Sequence, residues 1–353
     1  MIKKTICLLL FAVVLLAACS GCERSGEEHS KPSSGTPPFS SYRDIPGVTD
    51  EEIAKIEALR EQFDSFVFGM MPSTETFIDK NGELKGFITF LCEQLTELFG
   101  IPFTPAHYTW GDLLEGLKSG DIAFTAALAP TEHRRKIYHM TGAIAQREVK
   151  YIRLAGSEPL SKIRQARLPV YAMLSGAASA GRALSNINEE FELVLIPDYI
   201  DAYELMKSGK IDALVAEGTA EAVFDIYGDV VVEVFFPLAY APIATTTQTP
   251  ELKPIIDVLQ KALENGAYPY LKSMYNQSYQ EYTIHKLFMK LSEQEFAYID
   301  ANPVIPILGE YDNYPISFYN TRENAWQGIA FDVLREITSL TGLEFKVIND
   351  KNT

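Results

Sequence analysis

The feature that most constrains this chain is a block that occurs twice. Gly86–Phe103 aligns without a gap on Gly328–Phe345, with identities at Gly86/Gly328, Thr96/Thr338, Leu98/Leu340, Gly100/Gly342 and Phe103/Phe345. Each copy follows the same opening. Thr49-Asp50-Glu51-Glu52 and Ser292-Glu293-Gln294-Glu295 are capping boxes, in which a hydroxyl and a carboxylate satisfy each other's helix-terminal N–H groups. A strand-like run comes next, Phe66–Met70 in the first copy and Pro303–Leu308 in the second. Each block then reads as an amphipathic helix stopped by glycine and followed by another strand. The second copy ends at Thr353, just inside that strand. A strand–helix–strand piece cannot bury both faces of a sheet. Either the chain is part of a longer protein or segment 288–353 needs a partner.

Alternation continues through the middle of the chain. Ile101–Tyr108 reads as a strand, Trp110–Ser119 as a helix and Ile122–Leu128 as a strand. Leu168–Leu174, Leu193–Ile196, Ile211–Val215 and Val230–Phe236 are strand-like, with Ala177–Ser185, Tyr199–Ser208 and Thr219–Tyr227 as helices between them. Two late helices follow, Glu251–Asn265 and Pro269–Tyr279. Strands that alternate with helices make an α/β sheet.

The N-terminus has a different character. Lys3 and Lys4 precede an apolar run from Ile6 to Ala18, which is an export signal and too short to span a bilayer. Leu16-Ala17-Ala18-Cys19 resembles a bacterial lipobox, which implies a signal peptide over 1–18, a lipid on Cys19 and a membrane anchor. Residues 20–41 hold seven Ser, three Gly and three Pro, so 19–43 reads as a flexible stalk. Of the four cysteines, only Cys22 and Cys92 would stay unmodified, one in the stalk and one in a helical pattern. No disulfide framework is expected.

Charge narrows the functional classes. With 31 Lys+Arg against 47 Asp+Glu, the formal net charge is -16. That excludes a nucleic-acid partner, because phosphate binding needs a basic face. H-E-x-x-H, the P-loop, the dinucleotide fingerprint and G-x-S-x-G are all missing, and nothing else points to catalysis or a cofactor. His133 and His139 lack the companions a metal site would need.

Four stretches resemble the family 3 extracellular solute-binding proteins, which are type II periplasmic binding proteins for polar amino acids. They are Asn81-Gly82 with Gly86-Phe87, Trp110-Gly111-Asp112-Leu113-Leu114 with Gly120-Asp121, Thr131–Lys136 with Thr141, and Lys210–Glu217. Segment 288–353 resembles the start of a second such unit, through Phe318, Trp326-Gln327-Gly328 and Asp332. Tandem units of this kind are similar to sensory ectodomains of histidine kinases and diguanylate cyclases.

The resemblance implies a bilobed α/β fold with two crossing hinge strands over 44–285. One lobe would be about 64–150 with 240–283, and the other about 155–238. Crossings are expected near Lys150–Gly156 and Phe236–Thr245. The ligand would be a small polar, amino-acid-like solute held in a cleft that closes by hinge motion.

Residue by residue, Arg134 would clamp the ligand carboxylate, a role suited to its planar fork. Thr131 lies in the same motif. Glu217 would meet the ligand ammonium, with one methylene more than the family's usual Asp. Backbone N–H groups of Ser175 and Gly176 would receive the carboxylate, followed by Ala177 where the family has Thr. Ala127 and Ala129 stand where it often has Gly and Thr. Phe77 is a candidate aromatic wall, Glu75 and Thr76 are cleft-loop candidates, and Trp110 reads as packing. Partners would be an ABC permease, for import, or a signalling output domain, for sensing.

Overall fold

The structure is a computed structural model that describes residues 36–349. The signal peptide, Cys19 and most of the expected stalk lie outside those residues. The stalk was expected to reach residue 43, but the packed chain begins earlier. Tyr42 is buried and stacks on Phe99 at 5.8 Å, and Phe39 packs on the same core. Aromatic area of that size is worth more buried than in a solvated tether.

Helix α1 (Asp50–Gln62) starts at the Thr49–Glu52 capping box, as its sequence requires. Strand β1 (Phe66–Met70) then pairs in parallel with β4 (Phe103–His107). Between them lie the two-residue strands β2 (Phe77–Ile78) and β3 (Leu84–Lys85), and helix α2 (Phe87–Phe99). Helix α2 buries Phe87, Ile88, Leu91, Cys92, Leu95 and Phe99 and ends at Gly100, whose φ of 65° gives the left-handed cap. Helix α3 (Trp110–Ser119) is capped by Thr109.

Ile122–Leu128 does not form the expected strand. Phe124 makes only an isolated bridge to Phe68, and Thr125 one to Thr246. The Thr125 hydroxyl accepts the N–H of Ala127, a local turn that competes with a ladder and bends the chain toward the cleft.

Strand β5 (His139–Met140) leads to β6 (Ala145–Leu154), the strand on which the molecule hinges. The inserted lobe contains helix α4 (Leu160–Ala166), β7 (Val170–Leu174), α5 (Ala178–Ser185), β8 (Glu192–Ile196), α6 (Tyr199–Lys207), β9 (Ala213–Glu217) and β10 (Val230–Val234). Its sheet runs β10-β6-β9-β7-β8. The expected helix over Thr219–Tyr227 is a 3-10 segment, Gly218–Phe224. Strand β11 (Tyr240–Ile243) returns along β6, pairing Ile243 with Ala145 and Tyr240 with Glu148. Beyond that point Val149 of β6 pairs with Glu217 of β9. One strand therefore serves both lobes, and the first crossing lies at 145–149, earlier than Lys150.

Strand β12 (Thr246–Thr247) pairs with β5 in the first lobe. Helix α7 (Lys253–Ala262) and helix α8 (Tyr268–Lys290) close that lobe. Helix α8 runs to Lys290, well past the expected end at Tyr279. Helix α9 (Glu293–Ala301) starts at the second capping box. Strands β13 (Val304–Ile307), β14 (Asp312–Asn313), β15 (Ser317–Asn320) and β16 (Ala325–Gln327), helix α10 (Ile329–Thr341) and β17 (Glu344–Val347) complete the described chain.

The two repeated blocks share one backbone device. Gly86 has φ +113°, and a Cβ on it would lie 2.4 Å from the Glu75 carbonyl oxygen. Gly328 has φ +117° and would meet the Ile316 carbonyl at 2.5 Å. In each case that carbonyl accepts an N–H from the first turn of the following helix, Ile88 or Ala330. Only glycine fits such a close approach at positive φ.

Candidate functional site

The cleft is built around a residue the sequence reading overlooked. Arg147, on hinge strand β6, is 5% exposed. Its Nε and Nη2 donate to the two oxygens of Glu75 at 2.8 and 2.5 Å, and its Nη1 donates to Glu217 Oε2 at 2.5 Å. The Ser179 hydroxyl donates to the other Glu217 oxygen at 2.7 Å. The Tyr275 hydroxyl donates to Glu75 Oε1 at 2.9 Å. Burial alone would lower the Arg147 pKa, but Glu75 and then Glu217 outweigh it and hold the guanidinium well above its ordinary value. One buried carboxylate, Glu75, and one partly buried one, Glu217, thus share a buried cation from the hinge.

The signal for Arg147 was present in the strand's alternation. Ala145, Arg147, Val149 and Tyr151 share one face and are buried, while Gln146 and Glu148 are exposed. An arginine in the buried phase of a strand requires acidic partners. Pattern alone could not name those partners, because Glu75 and Glu217 are far away in sequence.

Arg134 begins a 3-10 turn, Arg134–Lys136, whose first N–H is held by the Thr131 hydroxyl at 3.2 Å. Its side chain points into the cleft. Nη1 donates to the Ala129 carbonyl at 3.3 Å and Nη2 to the Gly176 carbonyl of the other lobe at 3.1 Å. Burial lowers its pKa, with Tyr138 and Glu217 partly offsetting that. Arg135 instead braces the chain, donating to the Met140 and Thr141 carbonyls at 2.9 Å.

Arg134, Ala177, Trp110 and Glu217 line one small cavity, and Arg147, Tyr199 and Glu217 line another beside it. Each has a volume of about 20 Å³. That is room for a single water molecule, so a solute of amino-acid size enters only when the lobes separate. Beside the cleft, three further hydrogen bonds among the described residues join the lobes, in addition to the Arg147 network and to contacts of helix α8. They are Arg134 to Gly176, the Trp110 indole N–H to the Ser175 carbonyl at 2.9 Å, and the Thr74 N–H to the Thr219 carbonyl at 2.9 Å.

Several expected roles need correction. Of the two expected carboxylate donors, the Ser175 N–H is taken by the Ile196 carbonyl, and the neighbouring Ala177 N–H goes to the Leu174 carbonyl. The Ser175 and Gly176 carbonyls accept from Trp110 and Arg134 across the seam. Trp110 packs, at 6% exposure, and also bonds across the seam. Phe77 lines neither cleft cavity. It meets Tyr282 edge-on at 5.5 Å, stacks on His285 at 4.7 Å and lines a separate cavity of about 630 Å³ beside helices α8 and α9. Thr76 is buried, with its hydroxyl 3.0 Å from His107 Nε2. Glu217 lines both cleft cavities, and both its oxygens are occupied by protein donors. Among the described residues no cluster of His, Cys, Asp and Glu could hold a metal ion, and no helix is long and apolar enough to cross a membrane.

A bilobed α/β fold with two hinge crossings and a charged cleft defines the type II periplasmic-binding-protein class. Residues 67–278 match the family of bacterial extracellular solute-binding proteins, family 3, and the chain belongs to that family. Among solved structures it is similar to the Bordetella pertussis BvgS periplasmic VFT2 domain, with TM-score 0.51 and 16% identity, covering 64% of this chain and 97% of that one. It is also similar to the amino acid ABC transporter substrate-binding protein AbpA from Streptococcus pneumoniae bound to L-arginine. There the TM-score is 0.50 and the identity 17%, with 64% and 98% of the two chains covered. A search of curated proteins by sequence returned no match.

Proposed function

We propose that this chain is an extracytoplasmic, lipid-anchored protein that binds a small polar, amino-acid-like solute between its lobes and delivers it to an ABC permease. The observation that carries the reading is Arg134. A half-buried guanidinium stands at the seam with a carbonyl from each lobe as its partners. A solute carboxylate is a better acceptor for that fork than two neutral carbonyls. Helix α5 starts beside it without a side-chain cap, which favours the same anion. Ala129, Thr131 and the loop Ser175–Ala177 would surround that carboxylate. Titration calorimetry with L-arginine, L-glutamine and a dicarboxylate panel tests the reading. Arg134→Ala should weaken the ligand found by about 2–5 kcal/mol, the cost of leaving a buried charge unpaired. Equal affinity in wild type and Arg134→Ala would refute it. Lipid on Cys19 would appear as a diacylglyceryl mass on the mature N-terminal peptide, absent from Cys19→Ser.

A second reading is a sensory ectodomain. The repeated glycine device at Gly86 and Gly328 supports it, because 288–353 would then be the start of a second unit. The similarity to the BvgS domain supports it too. Solute uptake by cells with and without the protein separates the two roles.

A further inference from the structure

Helix α8 is seated on the first lobe. Leu271 and Met274 belong to the main core, and Tyr275 meets Phe87 edge-on at 5.2 Å. Its last two turns also reach the inserted lobe. The Tyr282 hydroxyl donates to Asp225 Oδ2. Lys286 Nζ lies 2.9 Å from Asp225 Oδ1 and 3.4 Å from Glu221 Oε2. These groups are sheltered: Tyr282 is 2% exposed and the Asp225 side chain 11%. Both acids belong to the stretch that starts with Gly218–Phe224, directly after Glu217, and Phe224 and Ala220 anchor that stretch in the core.

We propose that Tyr282 and Lys286, with Glu221 and Asp225, form a latch on the outer side of the seam that holds the cleft closed. It concerns regulation of the cleft and rests on the reading that the lobes open around a solute. Each half of the latch is fixed to a different lobe. Hinge opening that parts Thr74 from Thr219 and Trp110 from Ser175 must therefore also part Tyr282 and Lys286 from their acids. The polar tie yields first, because its groups exchange protein partners for water, whereas unseating the helix would expose Leu271, Met274 and Tyr275. Two carboxylates face one ammonium here, so the tie needs the tyrosine hydroxyl as well as the lysine. Helix α8 continues into the C-terminal segment, with Phe288 and Phe296 4.9 Å apart, so anything that moves that segment bears on the latch.

The test is hydrogen exchange on the full chain, comparing wild type with Tyr282→Phe/Lys286→Gln and adding no solute. Loss of charge-assisted hydrogen bonds should speed exchange at the Thr74 amide roughly tenfold or more. In a Trp326→Phe background, Trp110 emission should shift to the red as its indole leaves Ser175. Acceleration confined to 279–290, or none at all, would overturn the proposal. If amides of Phe66–Met70 accelerate as well, the double variant has lost its fold. Lys286→Gln alone, at a partly exposed side chain, then decides by the same two readouts. Because no solute is used, failure here leaves the binding reading standing.

Discussion

At the scale of single residues, the energetics of this protein centre on Arg147. Removing it leaves Glu75 and Glu217 beside each other without a cation. Arg147→Met should cost about 3–5 kcal/mol, the penalty for breaking a buried ion pair from one side. Adding Glu75→Gln should recover part of that loss, which urea unfolding of the single and double variants would measure. His107 and His285 set a pH dependence. Burial lowers the pKa of His107, with the bond to the Thr76 carbonyl partly offsetting it, and burial lowers that of His285, offset by Asp225 and Asp79. The folded chain therefore binds fewer protons than the unfolded chain below about pH 6.5. Their contribution to stability is present above that pH and is lost as the pH falls. Melting temperature should drop between pH 7.5 and 5.5, and His107→Gln should drop less across the same interval.

At the scale of elements, the entry to helix α2 is the most sensitive joint. Gly86→Ala places a Cβ 2.4 Å from the Glu75 carbonyl and forces positive φ on an L side chain. The conformational term alone is about 1–3 kcal/mol, and the clash adds to it. Glu75 would shift with its carbonyl, so the variant should also loosen the Arg147 network. Circular dichroism melts would show the first effect. The same exchange at Gly328 should leave the melt nearly unchanged, because α10 has no buried residue. Both glycines were legible in the sequence as a repeated Gly before an amphipathic helix. The approaching carbonyls were not, because they come from residues 11 or 12 positions earlier whose path depends on the hairpin between.

At the scale of the whole molecule, the two repeated blocks differ in what covers them. Positions Phe87, Leu91 and Leu95 of α2 are buried, while Ile329 and Val333 of α10 are 56% and 53% exposed. Of the described residues after Lys290, only Gly309 and Ser317 are buried. Amide exchange at 304–307 and 344–347 should therefore be much faster than at 66–70 and 103–107. A chain ending at residue 290 should melt with the same midpoint as the full chain. Comparable protection in the two pairs of strands would contradict this.

The sequence by itself determined what depends on neighbours along the chain. Capping boxes, glycine stops and most of the strands were readable, because each is set by backbone sterics and hydrogen bonding within a few residues. The order of the motifs was enough for the family and the bilobed fold. Only the tertiary structure decided which charges meet. Glu75, Arg147 and Glu217 come from a loop, a hinge strand and the end of a strand in the other lobe, and their pairing follows from burial in a closed seam. Phe77 moved out of the cleft for the same reason: helix α8 runs far enough to cover it, and no local pattern says where a long helix comes to rest.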